Sequence, residues 1–139
     1  MRTILITGAS GGLAQEMVKL LPDDRLILLG RNKEKLAQLY GNHSHTELVE
    51  IDITDDQALE TLVADLYQRH TKIDVLINNA GYGIFEDFDQ ISDKDIHQMF
   101  EVNTFALMNL SRRLGARMKE RGKGHIINIV SMAGLIATS

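Results

Sequence analysis

Thr7-Gly8-Ala9-Ser10-Gly11-Gly12-Leu13-Ala14 follows the short apolar run Ile4-Leu5-Ile6 and opens a segment with helical spacing. A strand that breaks into glycines and re-emerges as a helix presents backbone N–H groups at the positive end of a helix dipole. That arrangement suits a phosphate. A glycine-rich turn can also serve only to reverse the chain. Its place between a first strand and a first helix favours the ligand, because dinucleotide-binding folds put the pyrophosphate there. Gly8 suits the tight turn, Gly12 permits close backbone approach to a pyrophosphate, and Ala14 falls where helix and strand pack closely. Ala9, Ser10, Gly11 and Leu13 complete the expected cradle.

Outward from this turn, apolar runs alternate with helical patterns. Strands are expected at Thr3–Ile6, Arg25–Leu29, Leu48–Ile51, Ile73–Ile77 and His125–Val130. Most are continuous in Ile, Leu and Val, as expected of strands buried on both faces of a parallel sheet. The first helix is expected from about Gly12 to Leu21, burying Leu13, Met17 and Leu20 and stopped by Pro22, the only proline. Asn32 caps a second helix that ends at Gly41. Thr54 and Gln57 form a capping box for a third, whose Leu59, Leu62, Val63 and Leu66 share a face. A fourth starts near Ser92 and runs to about Lys119. Five β-α repeats with right-handed crossovers predict an α/β, Rossmann-like doubly wound parallel sheet of strand order 3-2-1-4-5, in a single domain over residues 1–139.

The composition, 44% hydrophobic and 24% charged, is that of an ordinary globular chain. A formal charge of −4 with no Lys/Arg run gives no basis for nucleic-acid binding. There are no cysteines, so disulfides, thiol catalysis and Cys-type zinc sites are excluded. No apolar run approaches membrane-spanning length and the N-terminus lacks a signal-peptide core, so a cytoplasmic protein is expected. The five histidines (His43, His45, His70, His97 and His125) show no metal-ligand spacing.

The second strand reads the cofactor further. An acidic residue at its end would accept from a ribose hydroxyl and favour NAD, but here the run is Leu28-Leu29-Gly30-Arg31. Gly30 makes room, and Arg31 offers a fork of donors suited to a 2′-phosphate. NADP(H) is therefore preferred over NAD(H).

Asn103 also stands out. It sits in the middle of an apolar stripe formed by Ile96, Met99, Phe100, Ala106, Leu107 and Leu110. Asparagine inside a helix is worse than alanine by about 0.5–0.7 kcal/mol. Leaving its amide buried and unpaired costs about 1–3 kcal/mol more, so partners are expected. Ser131 closes the fifth strand and so faces the same sheet edge as Gly8 and Asn79, where ligands of parallel α/β sheets bind.

With Asn78-Asn79-Ala80-Gly81 after the fourth strand the pattern becomes specific, and the chain resembles the short-chain dehydrogenase/reductase family over essentially its whole length. Thr7–Ala14 is similar to that family's T-G-x-x-x-G-x-G with alanine for the last glycine. Asp52-Ile53 resembles its adenine-contacting pair, Asn79, Ala80 and Gly81 belong to its intact N-N-A-G, Asn103 matches its helix asparagine, and Ser131 its catalytic serine. The spacing Gly8, Gly11, Ala14 also fits the extended, epimerase-type branch, but N-N-A-G and the serine strand belong to the reductase-type branch. The resemblance implies hydride transfer between a nicotinamide and a small-molecule carbonyl or alcohol. Ser131 would then position the substrate oxygen, and Asn103 would hold a water of the proton relay. It also implies homo-oligomers.

The family's Tyr-x-x-x-Lys would fall beyond Ser139, and neither residue is in this chain. Tyr40 and Tyr67 lie on early helices, and Tyr82 lies in a loop expected to border the cofactor, so none is a plausible substitute. The chain is expected to hold the cofactor with negligible reductase activity, either as part of a longer reductase or as a non-catalytic dinucleotide-binding or sensor module. The fifth strand is then an open edge, with Met108, Leu110 and Leu114 partly bare.

Overall fold

The computed structural model describes residues 1–70, 72–79 and 90–129. Five parallel strands, β1 (Thr3–Ile6), β2 (Arg25–Gly30), β3 (Thr46–Glu50), β4 (Val75–Asn78) and β5 (His125–Asn128), form one sheet of order β3-β2-β1-β4-β5. The helices are α1 (Gly12–Lys19), α2 (Lys33–Tyr40), α3 (Asp56–Arg69), α4 (Asp93–Phe100) and α5 (Ala106–Arg121). The expected order holds, and β4 begins two residues later than the apolar run, at Val75.

The unbroken Ile/Leu runs have a direct cause. Side chains alternate between the two faces of a strand, and here both faces are covered. Ile4, Ile6, Leu26, Leu28, Val75 and Ile77 join Ala14 and Val18 of α1 and Leu36 and Tyr40 of α2 in one buried cluster. Leu5, Ile27, Leu29 and Leu76 join Leu59, Val63 and Leu66 of α3 and Leu110, Leu114 and Met118 of α5 in the other. Pairing Ile4 with Leu26 and Val75, and Leu5 with Ile27 and Leu76, keeps each set on its own face.

Two helices depart from expectation. Helix α1 buries Ala14 and Val18, with Met17 and Leu21 packed beside them, whereas Leu13 is 53% and Leu20 80% exposed. Positions 14, 17, 18 and 21 are the i, i+3, i+4, i+7 stripe; the stripe assumed from Leu13 is rotated by one residue. Helix α3 is capped by Asp55, whose carboxylate accepts from the Ala58 N–H, while Thr54 donates its hydroxyl to Asp52 instead. Asn32 and Ser92 cap α2 and α4 as expected, accepting from the Lys35 and Asp95 N–H groups.

The long fourth helix is interrupted. Residues Glu101–Phe105 form a π-helical turn, closed by the Ala106 N–H on the Glu101 carbonyl, before α5 continues. Leu110 and Leu114 are 1% and 0% exposed, contrary to the expectation that they lie partly bare, because α5 packs them onto α3 and the sheet. Arg113 bonds Asp56 at 3.0 Å and Arg117 lies 4.6 Å over the Tyr67 ring, sealing that contact. Met108 does face outward, at 60% exposure. Among the described residues β5 pairs only with β4, with Ile126 and Ile127 exposed.

Candidate functional site

The turn after β1 is held on all sides. Gly8 takes φ 62°, a conformation glycine adopts without strain. The Thr7 N–H donates to the Ile77 carbonyl of β4 at 3.1 Å, and the Ala9 N–H to the Leu29 carbonyl of β2 at 2.9 Å. Asn79 closes the other side: its N–H donates to the Thr7 hydroxyl at 2.9 Å, and its side-chain amide to the Gly8 carbonyl at 3.2 Å. Helix α1 starts at Gly12 with no side-chain cap. Its first N–H groups are thus left to an anion, at the positive end of the helix.

A cleft of about 580 Å³ opens over this turn. Gly8, Ser10, Gly11, Gly12 and Leu13 line one part, Arg31 and Asp52 with Ile53 line another, and Asn79 and Val102 close it. Ala9 does not line it; its side chain is buried in the first core cluster. A Cβ placed on Gly12 would project into open space. That space, over an uncapped helix start, is of the size a dinucleotide segment needs.

The basic end of the cleft is richer than expected. Lys35, in the first turn of α2, lines it together with Arg31 and Asn32. Arg31 is exposed. Gly30 makes room for a different neighbour than expected: a Cβ there would lie 3.0 to 3.2 Å from three atoms of Leu36, so the glycine lets α2 settle on β2. Asp52 accepts from the Thr54 hydroxyl at 2.7 Å and from its N–H at 3.0 Å. Those bonds hold its carboxyl below the usual range, with the Arg31 charge adding in the same direction, so Asp52 presents a fixed negative acceptor.

The two asparagines at the end of β4 divide the work. Asn79 ties down the glycine turn, whereas Asn78, 3% exposed, donates to Ser111 of α5 at 3.0 Å and to Asn128 of β5 at 2.9 Å. Asn78 is thus a clamp joining helix to sheet. Asn103 itself is exposed, contrary to the expectation of a buried amide, though not without an interaction. The wide turn at Glu101–Phe105 shifts the helix phase. Met99, Ala106 and Leu110 stay buried while Asn103 rotates outward and Ile96 and Phe100 are exposed. Val102, next to Asn103, lines the cleft, so the turn borders the site; π turns are often found at functional sites. Ala80, Gly81, Tyr82 and Ser131 lie outside the described residues.

Lys35 and Val102 carried no signal of their own in the sequence. Lys35 reaches the cleft only because Asn32 starts α2 beside Arg31, and Val102 only because of the wide turn. Among the described residues no cluster of His, Asp or Glu could hold a metal ion, and no helix is long and apolar enough to cross a membrane.

A doubly wound parallel sheet with a glycine cradle at its first strand–helix junction is Rossmann-like. A family model described as short chain dehydrogenase matches residues 2–139, and the chain belongs to that family. It is 33% identical over 135 residues to an uncharacterized oxidoreductase of Schizosaccharomyces pombe, covering 95% of this chain and 45% of that one. To an NADP-dependent 3-hydroxy acid dehydrogenase of Salmonella typhi it is 33% identical, covering 94% and 54%. The solved closed form of a serine dehydrogenase complexed with NADP+ superposes with a TM-score of 0.87 at 30% identity, over 99% of this chain and 57% of that one. The chain spans about half the length of the curated relatives it matches.

Proposed function

We propose that this chain is the cofactor-binding part of an NADP(H)-dependent short-chain oxidoreductase that acts on a small-molecule carbonyl or alcohol. The observation that carries the cofactor choice is the pair of cations, Arg31 and Lys35, lining the same cleft as the glycine turn. A dinucleotide with its pyrophosphate at the start of α1 would have its adenosine end beside them and Asp52. The NADP dependence of the Salmonella typhi relative supports the same choice.

When bound, the nicotinamide supplies or accepts the hydride. The chain's own residues do the holding. Gly8 and Gly11–Leu13 receive the phosphates, Asp52 and Ile53 border the adenine, and Arg31 neutralises a 2′-phosphate. Asn79, Ala80 and Gly81, which follow β4 in the sequence, support the cofactor. Ser131 orients the substrate oxygen, and Asn103, exposed beside the cleft-lining Val102, holds a water for proton relay; both roles follow from the family resemblance. The 139 residues hold no Tyr-x-x-x-Lys after Ser131, so these residues by themselves are expected to bind the cofactor with negligible carbonyl reduction. The same residues would serve a non-catalytic dinucleotide-binding or sensor module, for which they suffice. We assign a single domain, cytoplasmic and self-associating, with the exposed Phe100, Phe105 and Met108 available for contact.

Titration with NADPH and NADH, followed by cofactor fluorescence, tests the proposal. NADPH should bind the more tightly. Failure of both to bind overturns the dinucleotide reading, and equal affinity overturns the NADP assignment.

A further inference from the structure

Tyr40, the last residue of α2, is far from the cofactor motifs in sequence and is 3% exposed. Its hydroxyl donates to the carbonyl of Ala9, inside the glycine turn, at 2.5 Å. The neighbouring carbonyls are occupied too. The Gly8 oxygen accepts from Asn79 and from the Gly11 N–H, and the Ser10 oxygen accepts from the Gln15 side chain at 3.3 Å.

The peptide planes give Tyr40 a special place. In a trans peptide the C=O of one residue and the N–H of the next point in opposite directions. The Gly8–Ala9 plane is fixed at its N–H by Leu29, and the Ser10–Gly11 plane at its N–H by Gly8. Among the described residues no acceptor takes the N–H of Ser10, so the Ala9–Ser10 plane is fixed at its oxygen, by Tyr40. With that oxygen drawn toward α2, the Ser10 N–H points the other way, and Ser10 lines the cleft. Flipping the plane would aim a carbonyl oxygen at the space where an anion sits, replacing attraction by repulsion.

We propose that Tyr40 is a positioning residue of the phosphate turn: by holding the Ala9 carbonyl toward α2, its hydroxyl aims the Ser10 N–H into the cleft at the cofactor's pyrophosphate. The assignment rests on the dinucleotide reading above for what the turn binds. Burial raises the Tyr40 phenol further above its ordinary range, so the group remains a donor across working pH. The ring is held by its own packing, edge-on to His43 at 5.7 Å and within the core cluster beside Ala9 and Leu36. Removing the oxygen alone therefore leaves the ring in place.

The experiment uses Tyr40→Phe in the 139-residue chain, with two ligands and one ligand-free measurement. NADPH probes the whole cleft; adenosine 2′-monophosphate probes only the Arg31 and Asp52 end, because it has no pyrophosphate. Loss of one hydrogen-bond-worth of orientation should weaken NADPH by about tenfold and leave the monophosphate within about twofold. Without any ligand, amide hydrogen exchange at Ala9 and Gly11, whose bonded N–H groups flank the released plane, should accelerate relative to Leu28 in the core. Tyr40→Leu, which keeps an apolar filling, should show the same selective loss. Unchanged NADPH affinity in Tyr40→Phe overturns the proposal, as does an equal loss for both ligands, which would mean that α2 has merely softened. If the unsubstituted chain bound neither dinucleotide, the cofactor reading itself would fall, and the exchange measurement would still report on the turn.

Discussion

Arg31→Ala gives the sharpest test of how this cleft reads its ligand. Arg31 is exposed at the rim, so an interaction with a 2′-phosphate would form close to water. Two unit charges about 4 Å apart in water attract by about 1 kcal/mol, and more where protein displaces solvent. A phosphate monoester carries about 1.5 to 2 negative charges at neutral pH. The loss should therefore be about 1.5 to 2 kcal/mol, with charge-assisted hydrogen bonds acting in the same direction. This corresponds to NADPH binding weakened by about 10- to 30-fold. NADH has no 2′-phosphate and should change by less than about twofold on the same scale. Lys35 lines the same rim and retains part of the attraction, so Lys35→Ala should cost NADPH only a few-fold, as a flexible point charge rather than a fork. The double variant should bind the two cofactors about equally. Fluorescence titration at two salt concentrations reads all of this, and the NADPH advantage should shrink as the screening length falls from about 8 Å at 0.15 M toward about 3 Å at 1 M. Equal losses for NADPH and NADH in Arg31→Ala would refute the reasoning.

Further outcomes follow from the packing and the ionisation of the chain. Leu76 is 0% exposed in the centre of the sheet, so Leu76→Ala should cost about 2–5 kcal/mol in urea denaturation. Leu20, at 80% exposure, should tolerate glutamine within about 0.5 kcal/mol, and a large loss there would restore the helix stripe rejected for α1. Gly30→Ala pushes a methyl against Leu36 and should cost about 1–3 kcal/mol while also weakening NADPH, because α2 carries Lys35; unchanged urea midpoint and affinity would show that Leu36 yields freely. Glu47 is held below the usual carboxylate range, chiefly by its hydrogen bonds from Arg69. Its folded pKa being the lower one, the stabilisation is complete above the unfolded value of about 4.3 and fades as pH falls through the folded one. Glu47→Gln should therefore flatten the fall in unfolding free energy between about pH 5 and 3, and an unchanged slope would contradict the assignment.

Much of the fold was legible because its signals are local. Runs such as Ile4-Leu5-Ile6 and Leu26–Leu29 announce strands covered on both faces, and their alternation with helices restricts the sheet to few orders. Asn32 and Ser92 were readable as caps because a capping side chain acts within three residues of itself. The position of Thr7–Ala14 at the first strand–helix junction marked the glycine turn that lines the cleft for the same reason.

What was not legible depends on contacts between distant residues or on a choice between near-equal local options. Thr54 and Asp55 are both competent caps, and the bond from Thr54 to Asp52 leaves the helix to Asp55. Leu13 and Ala14 are neighbours on α1, and the packing against β1 and β2 puts the smaller one inside. A period of 3.6 residues placed Asn103 in the buried stripe, and one wide turn moved it to the surface beside the cleft. The bond from Tyr40 to Ala9 spans 31 residues and that from Asn78 to Asn128 spans 50, distances over which sequence pattern carries no register. Local pattern thus carries the sheet, its helices and the place of the glycine turn. The side chains that surround that turn and the direction of its peptides come from the folded packing, because directional polar contacts are settled after the apolar faces have met.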